Sequence, residues 1–238
     1  MSERISMEEI VERIVASGIV SAYGRRTVLA GVHITAEAGQ CIGIVGKNGC
    51  GKSTFLNILA GLYKPQEGEI YFDGQKASGR LARKLFINYT GYVPQENNLI
   101  PELRVIDNLR LWYRDKNILE QELKQGFLHA LGLEEMCQMK AGKLSGGMKK
   151  RVSIGCALAG RPPILILDEP DAALDLPGKD EIRRYLALYR QAGGTIIMAT
   201  HDESGLALCD RVFALVAGSS KEICPLLRGE ALLKELGI

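Results

Sequence analysis

Residues 41–54 read CIGIVGKNGCGKST. Cys41 to Val45 is a short apolar run closed by glycine, the pattern of a buried strand. The residues after it contain Gly-x-x-x-x-Gly-Lys-Ser. Gly46, Gly49 and Gly51 let the backbone take φ > 0 and approach an anion closely. Successive N–H groups of such a turn form a concave nest for phosphate oxygens. A helix expected from about Lys52 to Ala60 aims the positive end of its dipole at the same anion. Lys52 is then placed for the β- and γ-phosphates of a nucleoside triphosphate, and the Ser53 hydroxyl for Mg2+. The contacting set expected from the loop is Gly46, Asn48, Gly49, Cys50, Gly51, Lys52, Ser53 and Thr54.

The rest of the chain suits one such domain. Its 238 residues lie within the range of a single α/β unit, which buries most of its unfolded surface without a disulfide or metal staple. The formal net charge of +2 lacks the strong basic footprint of a nucleic-acid binder. Cys41, Cys50, Cys137, Cys156, Cys209 and Cys224 form no CxxC pair and have no histidine cluster beside them. That argues against zinc or iron–sulfur ligation and suits a reducing compartment. Cys50 reads as a small residue that fits its loop. No apolar run approaches the ~20 residues that span a bilayer. Met1 to Val15 is charged and does not read as a signal peptide. A role at a membrane therefore has to come through a partner.

Outward from the glycine-rich loop, Val28, Leu29 and Val32 read as a strand. Gly68 to Phe72 reads as another, ended by the Asp73–Gly74 turn, and Tyr89 to Val93 as a third, stopped by Pro94. From about Glu96 to Gly142, Leu103, Ile106, Leu109 and Trp112 recur at helical spacing, as do Leu119, Leu123, Phe127 and Leu131. A helical subdomain, about residues 96–160, is expected as an insertion, with Trp112 and Tyr113 in its core. A helix is expected from Gly147 to Ala159. Ile164 to Leu167 and Thr195 to Ala199 are continuous apolar runs typical of buried parallel strands. An amphipathic helix, Lys179 to Gln191, separates them. Val212 to Val216 reads as the last strand and Ala231 to Leu236 as a short helix. Strands alternating with helices indicate a mostly parallel sheet, so the fold class is α/β.

Two further stretches carry chemistry. Residues 163–170 read PILILDEP, a strand that delivers Asp168 and Glu169 to the carboxyl end of the sheet, where ligands of such sheets sit. Asp168 is placed to hold Mg2+, and Glu169 to polarise a water for attack on the γ-phosphate. Residues 144–147 read LSGG. The Ser145 hydroxyl, the bare N–H groups of Gly146 and Gly147 and a helix start make a second anion site. One triphosphate on one chain has no use for two such sites. Lys149–Lys150–Arg151, just after, reads as the solvated face of that helix, because no aromatic residues interleave for base stacking.

Taken in order, these motifs resemble those of the ABC (ATP-binding cassette) ATPases, and the resemblance covers about Ile19 to Val216. LSGG is similar to the family signature, which closes on the nucleotide held by the other subunit. The resemblance thus implies a head-to-tail dimer with two composite sites, to which Ser145, Gly146 and Gly147 contribute in trans. Gln95, in YVPQE, resembles the Q-loop glutamine that senses Mg2+ or water. Asp175, in ALDL, resembles the D-loop aspartate of the dimer seam. His201, in MATHD, resembles the switch histidine on the γ-phosphate, and Tyr23, in SAYGRRTVL, the aromatic residue on which adenine stacks. The implied catalytic set is Glu169, His201, Gln95 and Lys52. The implied metal set is Ser53, Gln95 and Asp168, with ATP and Mg2+ as cofactors. The implied fold is a P-loop NTPase core of mostly parallel sheet, with an antiparallel β subdomain and an inserted α-helical subdomain, the whole of 1–238 forming one domain. The chain departs from the pattern at Asp171, where Thr or Ser usually follows Asp-Glu-Pro, and at Ala172–Ala173, which replaces a small–Gly pair. Asp171 is expected to place an extra carboxylate at the dimer seam.

The resemblance implies an ATP-hydrolysing subunit that is cytoplasmic and peripheral at the inner face of the cell membrane. It would act on a separate integral-membrane permease subunit, as a homodimer or with a paralogous ATPase subunit, and not on nucleic acid. The expected partner surface is the groove between the Gln95 region and the helical insert. LSGGM followed by Lys and Arg is similar to ATPases of drug, antibiotic, polysaccharide or sodium exporters. The alternative is a soluble ABC ATPase of an assembly pathway such as iron–sulfur cluster biogenesis, which shares every motif. Genome-maintenance ABC ATPases interpose a long coiled coil between phosphate loop and signature, and here that interval is short and has no heptads.

Overall fold

A computed structural model describes residues 12–96, 98–172 and 174–237. In chain order, β1 (Glu12–Tyr23) and β2 (Arg26–Glu37) form a long antiparallel hairpin in which Tyr23 pairs with Arg26. β3 (Cys41–Val45) follows, entirely buried, and leads through the glycine-rich loop into α1 (Lys52–Leu59). β4 (Glu67–Phe72) returns antiparallel to β1, and β5 (Gln75–Lys76) pairs with β4. Then come α2 (Gly79–Tyr89) and β6 (Thr90–Val93). Short helices α3 (Val105–Arg110), α4 (Lys116–Gln125), α5 (Phe127–Ala130) and α6 (Leu133–Met136) precede the longer α7 (Gly146–Ala157). The last part alternates β7 (Ile164–Asp168), α8 (Leu176–Gln191), β8 (Thr195–Ala199), α9 (Glu203–Leu206) and β9 (Arg211–Val216). It ends in β10 (Ser219–Ile223) and α10 (Gly229–Glu235).

The strands make two sheets. One is six-stranded in the order β10-β9-β3-β8-β7-β6, parallel except for the β9–β10 hairpin. The other is four-stranded and antiparallel, in the order β2-β1-β4-β5. They meet where the Ala30 N–H donates to the Gly218 carbonyl at 2.7 Å. Because side chains alternate along a strand, the large sheet feeds two cores. Ile42, Ile44, Ile164, Ile166, Ile197, Ala199, Phe213 and Leu215 pack with α1 and the antiparallel sheet. Cys41, Val45, Leu165, Leu167, Ile196, Met198, Val212 and Ala214 pack with the helices. Each fully buried aliphatic side chain contributes about 1.5–3 kcal/mol, so a strand buried on both faces has to be apolar throughout. The expected parallel core and antiparallel β layer are both present, and the chain between β6 and β7 is helical.

Some elements differ from the sequence expectation. α8 starts at Leu176 rather than Lys179, because Asp175 caps it and Pro177 is tolerated in a first turn. α2 went unread because none of its residues is fully buried; Leu85, Phe86 and Tyr89 only lean on the core. Trp112 is not core: it is 58% exposed, whereas Tyr113 is buried. α3 stops at Arg110 and the following turn carries Leu111 and Trp112 outward. Lys149–Lys150–Arg151 is not a solvated face, because Lys150 is only 2% exposed. Ala173 and the first eleven residues lie outside the described residues.

Candidate functional site

Four parallel strands end on the same side of the sheet, and each hands a segment to one cleft. β3 leads to the phosphate loop, β6 to Gln95, β7 to Glu169 and β8 to His201, while Asp168, the last residue of β7, is buried and does not line the cleft. The cleft has a volume of about 600 Å3 and is lined by Tyr23, Arg26, Val28, Asn48, Gly49, Gly51, Lys52, Ser53, Thr54, Gln95, Glu169 and His201. The loop can adopt its shape because Gly51 sits at φ 109°. A Cβ there would come within 2.7 Å of Val28 Cγ1 and 2.8 Å of Leu29 Cδ2. Lys52 is 6% exposed, and its ammonium donates to the carbonyls of Gly46 at 2.9 Å and Lys47 at 3.3 Å. The Tyr23 hydroxyl and Thr54 Oγ1 are 3.4 Å apart at the rim.

The acidic wall is held on both sides. Gln95 Nε2 donates to Glu169 Oε2 at 3.0 Å, and His201 Nε2 lies 3.2 Å from Glu169 Oε1. Glu169 occupies the left-handed region at φ 47°, where a non-glycine residue costs of order 1–3 kcal/mol. Its N–H donates to the Ala199 carbonyl at 2.9 Å, which fixes the strained turn to the neighbouring strand. Asp168, one residue earlier, ends β7 and is 3% exposed.

The remaining expected residues sit elsewhere. Gly46 and Cys50 belong to the loop but do not line the cleft. Cys50 is half-buried and packs on the core beside α1, in keeping with a small residue that fits. Ser145, Gly146 and Gly147 form the exposed start of α7, where Ser145 Oγ accepts from the Met148 N–H at 3.3 Å. Asp175 caps α8 by accepting from the Gly178 N–H at 3.0 Å. Neither group lines the cleft. Arg26 and Val28 do, and sequence reading missed them. The available signal was the hairpin itself: a two-residue turn after Tyr23 places Arg26 directly across from it.

Two charged groups behind the cleft have displaced acidities. Lys150 on α7 donates to the carbonyls of Pro94 and Gln95, both at 3.1 Å. Burial pulls its pKa below the usual lysine range, opposed by the nearby Asp168, Asp171 and Glu169. Asp171 is half-buried: Thr200 Oγ1 lies 3.3 and 3.1 Å from its two oxygens, which accept the hydroxyl's hydrogen bond. Burial holds its pKa above the ordinary carboxylate value. Thr200 Oγ1 also accepts from the Asp202 N–H at 3.0 Å, and Lys179 pairs with Asp202. Asp171 thus supports the segment carrying His201.

The family model described as ABC transporter matches residues 29–172. The chain is 34% identical over 221 residues to a spermidine/putrescine import ATP-binding protein of Haemophilus ducreyi, covering 91% of this chain and 58% of that one. It is 31% identical over 232 residues to a linearmycin resistance ATP-binding protein of Bacillus subtilis, covering 92% and 73%. It therefore spans somewhat over half of the first relative's length. A solved dimeric ATP-binding cassette, in a post-hydrolysis state with ADP and Pi, superposes with a TM-score of 0.77 at 32% identity, over 91% of this chain and 99% of that one. With the phosphate loop, the strained glutamate and the histidine meeting across one cleft, the chain belongs to the ABC transporter family of ATP-binding cassettes.

Proposed function

We propose that this chain is the ATP-hydrolysing subunit of a transporter. It works as a head-to-tail dimer, with itself or a paralogous ATPase subunit, on a separate integral-membrane permease subunit at the inner face of the cell membrane. The observation that carries the reading is the Gln95–Glu169–His201 contact facing the phosphate loop across one cleft. Loop N–H groups and Lys52 take the β- and γ-phosphates. Tyr23 offers a flat face to the base. Glu169, which accepts from Gln95 and has the His201 imidazole beside it, presents its remaining lone pairs to an attacking water, and His201 stands beside the same phosphate.

The oxygen donors fit Mg2+. Ser53 offers a hydroxyl and Asp168 a nearly buried carboxylate, while Gln95 spends its N–H on Glu169 and keeps its carbonyl oxygen free for a hard cation. When bound, Mg2+ neutralises charge on the phosphate oxygens. The exposed α7 start and Asp175 lie outside the cleft, which supports their use on the partner's nucleotide. Triphosphate then bridges the two subunits better than diphosphate does, and hydrolysis releases the bridge. Among the described residues no helix is long and apolar enough to cross a membrane.

Glu169→Gln tests this. It should keep ATP affinity, lose at least about 100-fold in turnover and elute as an ATP-dependent dimer on gel filtration. Near-normal ATPase activity in that variant would remove Glu169 from its role. The alternative of a soluble assembly ATPase shares this chemistry and differs only in partner.

A further inference from the structure

Lys150 is buried in a place where a hydrocarbon side chain would pack at less cost. Taking an ammonium out of water costs several kcal/mol unless it is paired and hydrogen-bonded. Here Nζ donates to two consecutive carbonyls, Pro94 and Gln95, both at 3.1 Å. Those carbonyls belong to the segment that leaves the sheet after Val93, where β6 has no further ladder partner. The same segment carries the Gln95 amide that donates to Glu169 at 3.0 Å. Lys150 itself lies in the second turn of α7, on the helix whose first turn is Gly146, Gly147 and Met148. A helix moves as a rigid rod over such a distance, about 1.5 Å of rise per residue.

We propose that Lys150 is a positioning residue that couples the Ser145–Gly147 anion site at the start of α7 to Gln95 in this chain's own nucleotide cleft. The coupling rests on the reading, given above, that Gln95 serves the cleft and that the α7 start takes the partner's nucleotide. When an anion draws on the α7 start, Lys150 carries the displacement to the backbone of Pro94 and Gln95, and the Gln95 amide carries it to Glu169. The physical continuity is complete from Ser145 to Glu169. Lys149, one residue away and only partly buried, has no such contact.

The test is a double-mutant cycle in the full chain, with steady-state ATPase and equilibrium ATP binding measured side by side. Lys150→Met should lower kcat about tenfold or more, with KM and the ATP Kd within about twofold of the parent. Lys150→Arg, which keeps charge and donors, should recover most of that loss. Adding Lys150→Met to Gln95→Ala should cost nothing further, because both cut the same link. A kcat within twofold of the parent in Lys150→Met, losses that multiply in the double variant, or an ATP Kd weakened as much as kcat would each overturn the coupling. If Lys150→Met fails to fold, Lys150→Gln, neutral and too short to reach both carbonyls, carries the same comparison. Gln95→Ala separates the two layers. Wild-type turnover there removes Gln95's role and the coupling together. Loss there beside a fully active Lys150→Met defeats only the coupling.

Discussion

Asp171 follows Asp-Glu-Pro in this chain, and its surroundings give it a measurable signature. It was expected to add charge at the dimer seam. Within this chain its carboxylate accepts from Thr200, so close to α9 that a Cβ on Gly205 would meet Asp171 Oδ2 at 2.9 Å. Burial raises its pKa first of all; Asp202 adds to the rise, while Thr200 and Lys179 oppose it. A carboxyl whose folded pKa lies above its unfolded one holds its proton more tightly in the folded state. Its contribution to stability is fully present below the unfolded pKa and is lost as pH rises through the folded pKa. Asp171→Asn keeps an acceptor for Thr200 and removes the half-buried charge. It should therefore raise Tm at pH 7–8, by about 2–4 °C for each kcal/mol recovered. The gain should close as the pH falls toward 4. A gain of the same size at both ends would show that ionisation of Asp171 is not the cause.

At the scale of elements, α7 matters most, because the proposed second anion site lies at its start and because it rests on β6, the strand that leads to Gln95. The seating is tight: a Cβ on Gly91 would stand 2.4 Å from the Ala157 carbonyl oxygen and 2.9 Å from Pro162 Cγ. Glycine in a strand interior usually weakens it and marks a close backbone approach, and here the approaching backbone is the end of α7. Gly91→Ala should force helix and strand apart at a cost of about 1–3 kcal/mol. A thermal melt would read this as a Tm lower by several degrees, and an unchanged Tm would mean that α7 is not seated on β6 as described. The sequence showed α7 as a helix but not its orientation. Nothing in Lys149–Lys150–Arg151 says which of three cations is swallowed; the approach of the Pro94–Gln95 turn decides it.

For the whole molecule, the question is where a partner binds. Leu111 and Trp112 are 61% and 58% exposed at the end of α3, and Ile100, 42% exposed, is tied to that helix through Asn108. Under the proposed function, these exposed apolar side chains are the expected docking surface. The tagged chain should then co-purify from detergent-solubilised membranes with a multi-span protein. Trp112→Asp should lose that protein while the isolated chain keeps its ATPase activity. Recovery of soluble partners alone would favour the assembly ATPase instead, and retention of the multi-span protein by Trp112→Asp would move the docking surface elsewhere.

Much of the candidate site was legible before any fold was known, because a phosphate-binding motif is a local pattern. A glycine-rich turn between a strand and a helix carries its anion nest within a few consecutive residues, and doubly buried strands such as Ile164–Asp168 must be apolar at every position. The order of the strands, the meeting of Gln95, Glu169 and His201, and the inward turn of Lys150 and Asp171 were not legible. Gln95 and Glu169 are separated by 74 positions in the chain, and no local pattern records such a distance. Those relations depend on which strands lie side by side and how closely a helix rests on them. Burial then decides which side chains of a charged or aromatic run turn inward, taking Lys150 in and leaving Trp112 at the surface.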